Sequence, residues 1–145
     1  FRRVLFRSVA LESTGDQARL YEVAKSIAMH VAAAKPQALN VESLDPQLIA
    51  KEKAVFQQQT ENSGKPQNII EKMIDGRIRK FLEEIVLMEQ THMIEGNSKI
   101  SEVIENLSKE LKTPVKLAAY IRLEVGEGIE KEEKNFAEEV AAVAR

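Results

Sequence analysis

The chain of 145 residues contains no cysteine. That excludes disulfides, thiolate zinc sites and cysteine nucleophiles, and it fits a reducing cytoplasm. Charge of one sign is not in excess either, with 21 Lys and Arg against 23 Asp and Glu and a net charge of -2. A general nucleic-acid binder needs a surplus of Lys and Arg to neutralise phosphates, so no direct nucleic-acid partner is expected. No run of about 18 apolar residues occurs, and no membrane partner is expected. The first residue is not Met, and "FRRVLFRS" lacks the apolar run and cleavage site of a signal peptide. Residues 1–8 are expected to be foreign to the rest of the chain. What is present, 43% apolar and 30% charged residues, suits one domain that buries roughly 70% of its unfolded surface.

Catalytic constellations are scarce as well. His30 and His92 lie 62 positions apart, no HExxH occurs, and no Gly-x-Ser-x-Gly elbow is present. The acidic stretch "EKEEKNFAEE" alternates signs as a solvated helix face does. In "NSGKPQNII" a Gly-Lys pair resembles part of a phosphate loop, but Pro66 occupies the place of the Mg²⁺-binding hydroxyl. A turn explains it better: Gly64 supplies a left-handed helix stop and Pro66 a preset φ for the next helix. The residues predict no enzyme, cofactor or metal site.

Periodicity defines the elements. "SVALEST" reads as a short strand, and Thr14 with Gln17 has capping-box spacing for the following helix. Leu20, Val23, Ala24, Ile27, Ala28, Val31 and Ala34 form one stripe, ended at Lys35-Pro36, with Tyr21 and His30 at or beyond its edges. His30 is expected to be a border residue with local hydrogen bonds. Asp45-Pro46 caps a helix running to about Asn62 with a thin apolar stripe, Leu48, Ile49, Val55 and Phe56. Its partner carries Ile69, Ile70, Met73, Ile74, Ile78, Phe81, Leu82 and Ile85. Two such helices joined by a short corner pair as an antiparallel hairpin, and Gly76 in the second marks either close helix approach or an exposed face that tolerates glycine, the first being the expectation. Ile100, Val103, Ile104, Leu107 and Leu111 predict another helix. Val115, Leu117, Ala119, Ile121, Leu123 and Val125 then alternate with Lys116, Ala118, Tyr120, Arg122 and Glu124, a strand with one wholly apolar face. Ile129, Phe136, Val140 and Val143 predict a final helix. The fold class is therefore α+β: a small antiparallel sheet covered by helices, with a protruding antiparallel helical hairpin and a C-terminal helix.

Three stretches, "SIAMHVAAAKP", "SGKPQNIIEKMIDGRIRKF" and "YIRLEVGEGIEKEEKNFAEEVAA", carry a resemblance to bacterial elongation factor Ts, the guanine nucleotide exchange factor for elongation factor Tu. The resemblance runs from about Val9 to the last residue. It implies that residues 9–42 and 91–126 correspond to the C-terminal half of the family's core. Residues 43–90 correspond to its coiled-coil hairpin, with the tip at Gly64, Lys65 and Pro66, and residues 127–145 to its C-terminal helical module. Where the family commonly has Gln-Pro-Phe-Val, this chain has Gln90-Thr91-His92-Met93, followed by Ile94. By position, Thr91, His92, Met93 and Ile94 inherit contact with elongation factor Tu, GDP-bound or nucleotide-free, the apolar contacts falling to Met93 and Ile94. The family's Thr-Asp-Phe-Val loop, which loosens the nucleotide, does not occur, so a truncated factor that docks on its partner is expected. Cytoplasmic localisation follows from the same resemblance. The alternative is a structural or self-associating module, and a homodimer stays open.

Overall fold

The computed structural model describes residues 4–61 and 63–125. Its elements are β1 (Val4–Glu12), α1 (Gln17–Ala34), α2 (Pro46–Glu61), α3 (Gln67–Ile85), α4 (Ile100–Leu111) and β2 (Lys116–Glu124). Single 3-10 turns stand at Val41–Ser43 and Leu87–Glu89. This is the expected α+β class, with a two-stranded antiparallel sheet packed against helices. The expected C-terminal helix, with Ile129, Phe136, Val140 and Val143, lies outside the described residues. The leading strand is longer than "SVALEST" suggests, because Val4 to Ser8 continue it and pair with residues 121–124.

The first helix does not begin with the capping box. Asp16 is its N-cap, and its carboxylate accepts the Arg19 N–H at 2.9 Å. Asp outranks Thr as an N-cap, and Gln17 becomes the first helical residue. Thr14 is used elsewhere: its hydroxyl lies 2.9 Å from that of Thr113, tying the entry to α1 to the entry to β2. Gly15 sits between them because a Cβ there would come within 2.8 Å of Leu111 Cδ1. At the other end Lys35 adopts a left-handed conformation before Pro36, which stops the helix as expected.

The main core joins Ile27 and Val31 of α1, Leu87, then Ile100, Ile104 and Leu107 of α4, Val115 just before β2 and Leu117 within it. Val9 and Leu11 of β1 pack on it. A fully buried side chain such as Ile27 contributes about 1.5–3 kcal/mol relative to exposure. A second cluster, Ala38, Leu44, Ile85 and Val86 with Leu48, Ile49, Phe81 and Leu82, lies at the root of α2 and α3. The contacts between these helices run in opposite directions along the chain: Leu48 and Ile49 cluster with Phe81 and Leu82, whereas Arg77 stacks over Phe56 at 5.4 Å. The hairpin is therefore antiparallel. Asp45 begins it as expected, accepting the Gln47 N–H at 2.9 Å. Gly76 is a correction: a Cβ there would meet nothing within 4 Å, so the glycine faces open space and marks no close approach.

The apolar face of β2 does not stay inside. Ala10 pairs with Ala119 but Leu11 with Leu117, so Ala118 is an extra residue that flips the alternation. Before the bulge Leu117 is buried; beyond it Ile121, Leu123 and Val125 are half exposed, as is Phe6, the partner of Leu123. Tyr120, Arg122 and Glu124 turn inward instead. The Tyr120 hydroxyl donates to the Pro36 carbonyl at 2.9 Å, and Lys35 Nζ lies 2.8 Å from the Glu124 carboxylate, which Arg122 also engages.

Candidate functional site

The segment after α3 is where helix, hairpin and loop meet. Leaving α3, the backbone N–H groups of Gln37 and Leu87 bond Ile85 and Ala38 carbonyls at 2.8 and 2.9 Å, so the hairpin root is tied to the end of α1. Gln90 follows, buried, with its amide Nε2 donating to the Glu84 carbonyl at 2.7 Å. Its backbone carbonyl accepts the Ile100 N–H at 3.0 Å, which closes the loop 91–99 against the start of α4. Thr91 and Lys99 form a bridge, His92 N–H donates to Ser98 at 2.8 Å, and Gly96 N–H returns to the His92 carbonyl at 2.7 Å. Gly96 has φ of 74°, a left-handed turn suited to glycine.

Inside this loop two histidines meet. His30 is 2% exposed and His92 1%, with ring centroids 5.8 Å apart. His30 corrects the expectation of a border residue with local bonds, because its partners are 60 and 63 positions away: Gln90 at 2.9 Å through Nε2, and the Met93 N–H at 3.3 Å through Nδ1. Helical arithmetic puts His30 one turn from Ile27 and beside Val31, at the edge of the stripe, and does not show the loop that covers it. His92 Nε2 bonds the Ser26 hydroxyl at 2.9 Å. Burial lowers the pKa of His30 below its ordinary value; the Gln90 hydrogen bond opposes this, and His92 adds to it.

Over this buried set the loop presents its apolar residues to solvent, Met93 at 61% and Ile94 at 57% exposure, with Thr91 exposed beside them. Of the four residues singled out by sequence, His92 alone is turned inward, under the other three. Lys99 stands at the rim, 2.8 Å from Glu89 and 3.3 Å from Glu83. Gly64, Lys65 and Pro66 are brought together elsewhere, at the exposed tip of the hairpin. Gly64 has φ of 66°, and the Pro66 carbonyl accepts the Ile69 and Ile70 N–H groups at 2.9 and 3.1 Å. The corner is a turn with a helix start, as expected, though Pro66 is the N-cap rather than the first helical residue. Sequence reasoning missed Ser26 and Gln90, whose roles depend on partners distant in the chain. Among the described residues no group of three or more His, Cys, Asp or Glu could hold a metal ion, and no helix is long and apolar enough to cross a membrane.

Fold and site together define a class: an α+β module that anchors a helical hairpin at its root and holds an apolar loop above a buried polar cluster. Residues 7–127 match the family model for Elongation factor TS. The chain belongs to the elongation factor Ts family. It is similar to elongation factor Ts of Rhodospirillum centenum, 50% identical over 136 residues that cover 94% of this chain and 44% of that protein. The corresponding protein of Paramagnetospirillum magneticum is 54% identical over 136 residues, with the same coverage. That of Rickettsia felis is 49% identical over 138 residues, covering 94% of this chain and 45% of the relative. The chain thus spans less than half the length of these relatives.

Proposed function

We propose that this chain docks on elongation factor Tu in the cytoplasm and contributes to release of its GDP. The carrying observation is the loop in which Met93 and Ile94 stand exposed while the backbone beneath them is held by His30, His92 and Gln90. An apolar pair on a pre-organised loop loses little entropy on binding, which is what a protein contact requires. In this reading Met93 and Ile94 touch the partner, Thr91 lines the rim, and His92 supports them from beneath. Residues 9–42 and 91–126 act as the core, residues 43–90 as an arm tipped by Gly64, Lys65 and Pro66, and residues 127–145 as a further docking module. No covalent chemistry is needed. Exchange follows when the nucleotide-free partner is bound more tightly than the nucleotide-bound one, and the nucleotide weakens the complex by the same factor.

Release of a fluorescent GDP analogue from elongation factor Tu, measured beside a pull-down, tests this. Capture of elongation factor Tu with faster release of the analogue is expected. Met93→Asp with Ile94→Asp should abolish the pull-down; unchanged capture would refute the loop's role. A second reading, self-association, is favoured by the outer sheet face of Phe6, Ile121 and Leu123. Sedimentation as a dimer that Ile121→Lys dissociates, without any capture of elongation factor Tu, would establish it instead.

A further inference from the structure

We propose that His30 is a positioning residue for the Met93–Ile94 loop: its uncharged imidazole anchors the loop through Nδ1, and a proton on that nitrogen releases it. The hydrogen-bond chain settles the tautomer. Gln90 Nε2 donates to the Glu84 carbonyl at 2.7 Å, so Gln90 Oε1 is the atom left facing His30. An amide oxygen only accepts, so His30 Nε2 carries the hydrogen and donates at 2.9 Å. Nδ1 is then a lone pair, and it receives the Met93 N–H at 3.3 Å. Protonation of Nδ1 would turn this contact into two donors facing each other, leaving the Met93 amide without its acceptor.

The surroundings offer no compensation for such a charge. His30 is 2% exposed, and among the described residues His92 is the ionisable group whose charge acts on it, in the repulsive sense. From α1 the neighbouring polar group is the neutral Ser26, held by His92. From α3 and the turn after it, Glu84 contributes only its backbone carbonyl, through Gln90. Glu83 and Glu89 are engaged by Lys99 at the start of α4. His92 Nδ1 is buried and makes no hydrogen bond within the protein, so it does not serve as an acceptor for His30. The cheapest way to accommodate a proton on His30 is to let the loop lift and water enter. Closed and open loop therefore differ in proton affinity, and acid selects the open one.

The sign follows directly. The closed state holds His30 below the ordinary histidine value of about 6.5. Loop closure is complete above that value and is lost as pH falls below it. The same three hydrogen bonds join the α3 terminus to the loop through Gln90 and His30, so opening also loosens the hairpin root. Any effect on partner capture rests on the docking reading above; the latch itself does not.

The test is an NMR titration of the chain between about pH 7.5 and about 5, a range that brackets histidine ionisation. Isotope-labelled histidine rings report His30 protonation, and the Met93 amide with the Met93 and Ile94 methyl groups report the loop. The expected result is an unprotonated Nδ1 at high pH and one shared midpoint, below about 6.5, for ring and loop. Loop signals that stay flat while His30 takes up its proton would overturn the proposal. His30→Asn places a non-titrating oxygen near the Nδ1 position and should remove the loop transition while Ile104 and Leu117 signals stay in place. A transition that persists unchanged in this variant would also overturn it, and should the variant not fold, the wild-type titration alone decides. Pull-down at high pH with Met93→Asp and Ile94→Asp separates the two ideas: unchanged capture removes the docking role, whereas the latch falls only to a flat titration or to a transition that survives in His30→Asn.

Discussion

Gly76 lies at the middle of the second helix of the hairpin, with open space where a Cβ would stand. Its φ is not among the positive values of the chain, so alanine fits the backbone without strain. The substitution Gly76→Ala therefore adds no clash and removes the entropy that glycine loses on entering a helix. Host-guest differences put the gain at about 0.8–1 kcal/mol for an interior helical position. In equilibrium terms that is roughly a fivefold fall in the opening constant of the hairpin. Native-state amide exchange is the appropriate assay, because the hairpin and the main core have separate apolar clusters and can open separately. Amides of α3 should exchange about fivefold more slowly in Gly76→Ala, and those of α4 should be unaffected. Faster exchange in α3 would refute the reasoning, since it would mean that another helix or the chain itself approaches the backbone at this point. The outcome also discriminates between the two expectations for Gly76, close approach and open surface, which predict opposite signs.

Other perturbations follow from the same geometry. Ile27→Ala, in the fully buried centre of the main core, should cost about 2–5 kcal/mol in chemical denaturation, with a value below 1 kcal/mol contradicting the assigned core. Gly15→Ala should lower stability, because the new methyl group meets Leu111 and Thr113 at 2.8 and 2.9 Å; an unchanged melting temperature would show that both side chains move aside freely. The Glu124 carboxyl, which Lys35 and Arg122 hold from an ordinary 4.5 down to about 2, makes stability acid-sensitive. Its contribution is present above pH 4.5 and lost as pH falls toward about 2, so Glu124→Gln should flatten the acid limb of a stability profile. An identical limb in the variant would remove Glu124 from that role.

Much of the architecture was legible in the residues. The helical stripes of α1, α3 and α4 report their own burial, because a side chain's direction around a helix depends only on local backbone geometry. Asp45 with Pro46 and Lys35 with Pro36 mark helix ends for the same local reason. The hairpin corner at Gly64 was readable as a turn because a left-handed residue is a property of one position. Ser26 and Gln90 were not legible, since nothing in the spacing of residues 26, 30, 90 and 92 shows that α1 lies under the loop. His30 was misread: it stands at the edge of the apolar stripe, where a border residue is expected, and its burial follows from the loop that covers α1, which the spacing does not show.

The sequence by itself determined which of the described segments are helices and strands, where most of the helices stop, and that an apolar pair, Met93 and Ile94, follows the hairpin in a turn-rich stretch. Local sterics and hydrogen-bonding options decide such features within a few residues. The tertiary structure alone decided that the bulge at Ala118 turns Ile121 and Leu123 outward and Arg122 and Glu124 inward. It alone brought His30 to His92 and to Gln90, whose amide oxygen sets which nitrogen holds the Met93 amide. Both depend on register and packing between segments separated by 60 residues or more, where one added residue in a strand reverses every side chain beyond it.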